Sequence, residues 1–228
     1  MIIFDRPGFP NPARIRIVLA HKGLESAVQF VSVDLIGAEH KTPAFLEKNP
    51  SGVLPVLQLD DGTYISEATA ITEYLDNLDG EPALTGRTPK EKAVIHMMQR
   101  RAEAEVLDPV GIYFHHATPG LGPLLQVHKS PDWAGRKDWG ERNGQRALAG
   151  MAAFDALLSR QDFLAGEHFS MPDITLYAGL MFADAAGLGV PDNLDHLIAW
   201  RGRVSDLPSV RERSGQEFGA EDLRRLGF

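Results

Sequence analysis

The residues best suited to chemistry lie in two stretches, Asn49-Pro50-Ser51-Gly52-Val53-Leu54-Pro55-Val56-Leu57 and, ten residues on, Glu67-Ala68-Thr69-Ala70-Ile71-Thr72-Glu73-Tyr74-Leu75. In the first, Pro55 stands at the mouth of an apolar strand, where a proline sits in a turn and at times in a cis bond. A cis Leu54–Pro55 bond would aim the Leu54 N–H and C=O sideways, toward an extended peptide. In the second, Glu67 opens a helix whose first N–H groups lack intrahelical partners and suit a carboxylate. Asp60-Asp61-Gly62-Thr63 between them is a hairpin turn. The pattern is that of a receptor for a short acidic peptide.

Such a receptor needs a scaffold, and residues 1–78 alternate strand and helix patterns. Ile2–Phe4 reads as a strand. Asn11 as N-cap and Pro12 at the first helical position start a helix, with Ile15, Val18 and Leu19 on its apolar face and Gly23 at its end. Val28–Val33 is a second strand, 37–49 a loop with a short helix, and Val53–Leu59 with Tyr64-Ile65 a hairpin. Ile71, Tyr74, Leu75 and Leu78 mark the next helix. The order β-α-β-α-β-β-α is thioredoxin-like.

Residues 79–88, with Gly80, Pro82 and Gly86, form a linker. Beyond it, 89–228 reads as an all-helical domain. A long helix runs from Pro89 to about His116, with a kink expected at Pro109. Another spans Lys137–Arg160. Ser170-Met171-Pro172-Asp173 caps a third, with Asp in place of the usual Glu or Gln; its stripe is Ile174, Tyr177, Ala178, Met181 and Ala185. Leu197, Trp200 and Val204 mark a fourth, and Pro208 starts a short last one. The fold class expected is α/β followed by an all-α bundle.

Charge and composition narrow the partners. The 228 residues carry a formal net charge of −8, so no basic face is available for nucleic acid. No apolar run is long enough for a membrane span. Met1-Ile2-Ile3-Phe4-Asp5 reads as a strand rather than a signal peptide, and a cytoplasmic protein is expected. With zero cysteines, a zinc–thiolate site or a protein thiol nucleophile is excluded.

The proline-mouth strand and the acidic helix start, in this order and ahead of a helical domain, resemble the cytosolic glutathione transferases. Ser170-Met171-Pro172-Asp173-Ile174 is similar to that family's helix-capping motif. Pro12-Ala13-Arg14-Ile15-Arg16-Ile17 and Tyr113-Phe114-His115-His116-Ala117-Thr118-Pro119-Gly120-Leu121-Gly122 resemble its atypical fungal and bacterial branch, which lacks the usual catalytic Tyr, Ser or Cys. The resemblance runs from about Met1 to Val210. It implies an enzyme that conjugates reduced glutathione to hydrophobic electrophiles, with glutathione as substrate, no cofactor, and a homodimer.

Such an enzyme must ionise a thiol whose free pKa is about 8.5; lowering it by two units needs roughly 2.7 kcal/mol of thiolate stabilisation. No Ser, Tyr or Cys precedes Ser26, and Asp5, near the place of the usual hydroxyl, would repel the thiolate. Three sources remain. One is the start of the first helix, with Gly8 beside it giving the sulfur room, or serving only as a turn residue. Another is Asn11, as an amide donor or as a plain N-cap; Pro10-Asn11 matches a related disulfide-reducing branch, where Phe9 replaces a threonine. The third is His115, which the resemblance makes the holder of a water that takes the thiol proton. The branch pairs that histidine with a serine one turn earlier; here that position is Gly111. His115 also reads as a histidine satisfied by backbone near a kink. His115 and His116 point about 100° apart on a helix and are not a metal pair.

The resemblance assigns Glu67 to the γ-glutamyl end of glutathione, with the Ala68 N–H where the family has a serine. Leu54, flanked by Val53 and Pro55, offers its backbone to the cysteinyl part. His40 and Lys41 face the glycyl carboxylate, although Lys41 also reads as an ordinary solvated lysine. Two other functions compete: glutathione-dependent reduction of disulfides or peroxides, and a non-catalytic binding module. The electrophile and the role of the tail 215–228 are not legible.

Overall fold

Short β-branched segments around a proline-started helix fold into a four-stranded sheet. In the computed structural model, which describes residues 1–126 and 134–226, the strands are β1 (Ile2–Asp5), β2 (Gln29–Ser32), β3 (Val56–Gln58) and β4 (Tyr64–Ser66), in the order β2-β1-β3-β4. β1 and β2 are parallel, with Ile2 opposite Gln29, so their connection must cross over the sheet. That crossover holds α1 (Pro10–Lys22), which ends at Gly23 in the left-handed region with φ 65°. β3 is antiparallel to β1 and to β4, with Val56 opposite both Phe4 and Ser66. The hairpin turn closes where Leu59 N–H donates to Thr63 C=O at 2.8 Å. A short helix, α2 (Pro43–Leu46), and α3 (Ala68–Asp76) complete the thioredoxin-like pattern. The core beneath holds Ile3, Ile15, Ile17, Leu19, Val56, Leu57, Ile71 and Leu75.

Two helix starts differ from the sequence reading. α1 begins at Pro10, with Phe9 as N-cap, so Asn11 is the second helical residue and not the cap. The helix starts earlier because Pro10, like Pro12, brings a φ already suited to a first turn. Glu67 is not the first residue of α3. It precedes the helix in the left-handed region, φ 69°, and its carbonyl accepts the Ile71 N–H at 3.0 Å.

The chain divides into two compact units. The first holds Met1–Leu75 and the described parts of 121–133 and 212–228, including α6 (Pro123–Gln126) and α11 (Ala220–Leu226); the second holds Asp76–Gly120 and 134–211. The tail, read from sequence as part of the helical domain, therefore packs with the thioredoxin-like unit.

In the second unit, α4 (Pro89–Ala102) starts from a full capping box of Thr88 and Glu91. The expected kink at Pro109 takes the form of a π-helical turn, Glu103–Leu107, running into α5 (Asp108–Ala117). Pro109 has no N–H for the Glu105 carbonyl four residues back. That carbonyl instead abuts α7 (Arg136–Leu158) at Gly150, where an added Cβ would lie 2.2 Å from it. α8 (Met171–Ala185), α9 (Asp195–Ser205) and α10 (Pro208–Arg211) follow. The expected α8 stripe is only partly right: Ile174 and Ala178 are buried, Ala185 is exposed, and the first half of the helix is buried nearly all round. The α8 capping box forms as expected, Asp173 accepting from the Ser170 N–H and hydroxyl. Asp173 also accepts from the Leu164 N–H and the Trp200 indole, joining three segments of the core. Among the described residues no helix is long and apolar enough to cross a membrane.

Candidate functional site

The sheet register gathers the sequence-predicted residues of the first unit. The β3–β4 ladder ends at Val56 opposite Ser66, so Leu54-Pro55, just before β3, and Glu67-Ala68, just after β4, leave the hairpin at the same end. The end of β1 lies at the same edge, since Phe4 also pairs with Val56, so the loop into α1 starts there. Arg14, in the second turn of α1, reaches the start of α3: its Nη2 donates to Thr69 Oγ1 at 3.2 Å. The strand mouth and two helix starts thus share one edge of the sheet.

At the mouth, the Leu54–Pro55 peptide bond is cis. Among the described residues the Leu54 N–H and C=O have no hydrogen-bond partner. The approach is pinned, because Asn49 Nδ2 donates to the Val53 carbonyl at 3.0 Å. Glu67 is exposed, with its side chain available to a cation, while Ala68 is buried. The Thr69 hydroxyl accepts from Arg14.

Lys41 differs from a plain solvated lysine. Its Nζ donates to the Gly52 carbonyl at 2.6 Å, and burial lowers its pKa. It ties the Glu39–Lys41 turn to the loop that leads into Val53. His40 is buried in the same turn.

The start of α1 is poor in donors. The first four N–H positions of a helix lack intrahelical acceptors, and here they fall on Phe9, Pro10, Asn11 and Pro12. Two are prolines without an N–H. Phe9 N–H turns back to the Arg6 carbonyl at 3.5 Å. Asn11 supplies the remaining backbone donor. Its side chain adds another: Arg14 Nη1 donates to Asn11 Oδ1 at 3.1 Å, and since a guanidinium only donates, the amide –NH2 is the edge left outward.

Gly8 is in the left-handed region with φ 82°. The room left by its missing Cβ is taken by protein: a Cβ there would lie 2.7 Å from the Phe218 backbone nitrogen. Its N–H donates to the Gly215 carbonyl at 3.1 Å. The glycine is therefore required by the tail, whatever approaches from elsewhere. Asp5 is not a free negative charge either. It is 1% exposed and paired with Arg16, Nε to Oδ2 at 2.7 Å and Nη2 to Oδ1 at 3.1 Å. Burial raises its pKa against the pull of Arg16.

In the second unit, His115 lies in the last turn of α5, half-buried, with its ring edge-on to Phe114 at 5.1 Å. Its carbonyl accepts from Arg136 Nη2 at 2.8 Å. Gly111, one turn earlier, faces Phe182. Among the described residues no group of three His, Cys, Asp or Glu side chains is arranged to hold a metal.

Sequence reasoning named Arg14 and Arg16 only as part of a family motif and did not find their partners, Thr69 for the first and Asp5 and Ser214 of the tail for the second. A signal existed for the arginines: they interrupt a run, Pro12–Leu19, every member of which is buried, and a buried guanidinium demands acceptors.

Comparison with known proteins finds relatives across most of the chain. Residues 10–78 match the glutathione S-transferase N-terminal domain and residues 137–212 its C-terminal domain. The chain is 55% identical over 212 residues to glutathione S-transferase 2 of Saccharomyces cerevisiae, covering 93% of this chain and 88% of that protein. It is 33% identical to a maleylacetoacetate isomerase of Pseudomonas aeruginosa, over 86% of this chain and 85% of the other. The crystal structure of Gtt2 from Saccharomyces cerevisiae superposes with a TM-score of 0.89 at 55% identity, covering 93% of this chain and 99% of that one. The chain belongs to the glutathione S-transferase family.

Proposed function

We propose that the protein binds reduced glutathione at the sheet edge of its first unit and conjugates it to small hydrophobic electrophiles. The observation that supports this reading is the end of the β3–β4 ladder at Val56 opposite Ser66, where the Leu54 backbone, without a hydrogen-bond partner among the described residues, and Glu67 leave the hairpin together. An extended peptide adds to Leu54 as a strand would. The exposed Glu67 carboxylate takes the γ-glutamyl ammonium, and the first N–H groups of α3, Ala68 among them, take its carboxylate. His40, Lys41 and Val53 form the glycyl end. Lys41 contributes there by holding the 51–52 loop as well as by charge.

The sulfur is assigned to the mouth of α1, where Asn11 supplies a backbone and a side-chain donor. A hydrogen bond to a charged group contributes about 1.5–3 kcal/mol, so donors from Asn11 are of the size that two pKa units of thiolate stabilisation require. Gly8 enters as the turn that leads into this mouth. The family resemblance assigns the departing proton to a water held by His115, a second and separable part of the reading. Glutathione is the substrate, and no cofactor is called for.

Calorimetry with glutathione, followed by the thiolate absorbance of the bound complex against pH, tests the core of the reading. A thiol that titrates in the complex as it does in free solution would overturn it. Parallel assays with an aryl halide and a mixed disulfide separate conjugation from reduction, and faster turnover of the disulfide would move the assignment to a reductase. A homodimer across α4 and α5 and a cytoplasmic setting belong to the same proposal. Met97 on α4, 55% exposed, supports the first.

A further inference from the structure

The last described residues are anchored on the β1–α1 loop by contacts of several kinds. Arg6 meets the Asp222 carboxylate with two donors, Nε to Oδ2 at 2.6 Å and Nη2 to Oδ1 at 2.5 Å. Asp222 is 1% exposed, and Arg6 also donates from Nη1 to Ser32 Oγ at 3.1 Å. The Gly8 N–H donates to the Gly215 carbonyl. Phe218 packs edge-on against Phe9, centroids 5.0 Å apart, and its backbone fills the space beside Gly8. Ser214 Oγ accepts from Arg16 Nη1 at 3.0 Å, and Gly215 has no room for a Cβ, which would lie 2.5 Å from that same nitrogen. Arg225 Nη1 lies 2.9 Å from both oxygens of Asp34. Every residue from Arg6 to Phe9 except the proline is thus held, directly or through its neighbour, by the tail.

We propose that the segment 213–225 is a strap that positions the start of α1 for thiol activation, with Asp222 as its latch and Phe218 as its wedge. The proposal rests on the assignment of the sulfur to that helix start. Phe9 is the N-cap of α1, and Asn11 follows it by two residues, so the direction of the Asn11 donors depends on where Phe9 is clamped. A donor misaligned by a fraction of an ångström still binds the peptide through Leu54 and Glu67 but stabilises the thiolate less. Asp222 is therefore a positioning residue. Its loss reads out in the thiol's ionisation more than in glutathione affinity, a split that a purely structural role would not produce. The double contact also makes Arg6 and Asp222 one unit, whose single losses do not add.

The test uses the full-length protein with Asp222→Asn, Arg6→Gln, the double variant, and Phe218→Ala as a variant that leaves the ion pair intact. Circular dichroism checks folding before use. Hydrogen exchange over residues 6–13 should rise at least tenfold in Asp222→Asn, with β3 unchanged; this readout needs no glutathione. With glutathione, the thiol pKa in the complex should rise by about one unit and turnover near neutral pH should fall about tenfold. The Kd should shift less than threefold. The double variant should match the worse single one, and Asp222→Glu should recover part of the shift. Unchanged exchange at 6–13 in Asp222→Asn and Phe218→Ala overturns the strap. So does a loss of affinity as large as the loss of turnover. Failure of the functional reading is separate: it shows as no thiol shift in the unmodified protein while the exchange result still reports on the strap.

Discussion

At the residue scale the proposed site depends on which groups can donate to sulfur. Asn11→Ala removes the side-chain donor and keeps the backbone one, so the thiol pKa in the glutathione complex should rise by about one to two units. The thiolate absorbance titration checks this. His115→Ala should lower turnover on the order of tenfold to a hundredfold, the lower part of the general-base range, in a steady-state assay where Tyr113→Phe stays near the starting rate. If both titration and turnover hold in His115→Ala, His115 is a structural residue and Asn11 carries the activation. Glu67→Ala should weaken glutathione binding several-fold by calorimetry, because an ammonium loses its charged partner. The placement of these residues was legible in unequal degree. Leu54, Pro55 and Glu67 announce themselves because strand, turn and helix signals converge on them. Asn11 was read as a cap because the proline after it looked like a first helical residue; the competing Pro10 start left it two positions further in, with its side chain answering to Arg14.

At the element scale, the helix cap of α8 carries a measurable pH signature. Asp173 is buried, and burial pushes its pKa from 3.8 up to about 6 against four hydrogen bonds that favour the charged form. A folded-state pKa above the unfolded one means that the fold prefers the protonated group. Its contribution is full below about pH 4 and is lost as pH rises through about 6, by on the order of 3 kcal/mol. The stability difference between the unmodified protein and Asp173→Asn, from denaturant titrations at pH 4 and pH 7, should shrink by that order; a constant difference would mean that the carboxylate is charged throughout. This cap was visible in Ser170-Met171-Pro172-Asp173, since a capping box is local. The π turn was not, because it follows from the meeting of the Glu105 carbonyl with Gly150 of α7, a contact between segments that sequence periodicity does not register. Phe218 and Asp222 were illegible for the same reason: a short polar tail has no periodic apolar face, and Asp222 meets its anchor Arg6 across 216 positions of the chain.

At the scale of the whole molecule, a homodimer is the expected state. Light scattering at micromolar concentration should give twice the chain mass, and a monomer would remove the dimer from the proposal. The order of elements along the first unit, the helical second half and the family were readable from the sequence, whereas the spatial order of the strands and the route of the tail were not. That route has a consequence for folding. Arg6 and Asp222 are separated by 216 positions, so the β1–α1 loop is completed only by a contact of very long sequence separation. Closing such a contact is slow and comes late. A refolding thioredoxin-like unit therefore passes through a state in which Phe9 is uncovered at its rim. In refolding from denaturant, glutathione-dependent turnover should return after the circular dichroism of the sheet and helices, and simultaneous recovery of the two would mean that the tail docks early.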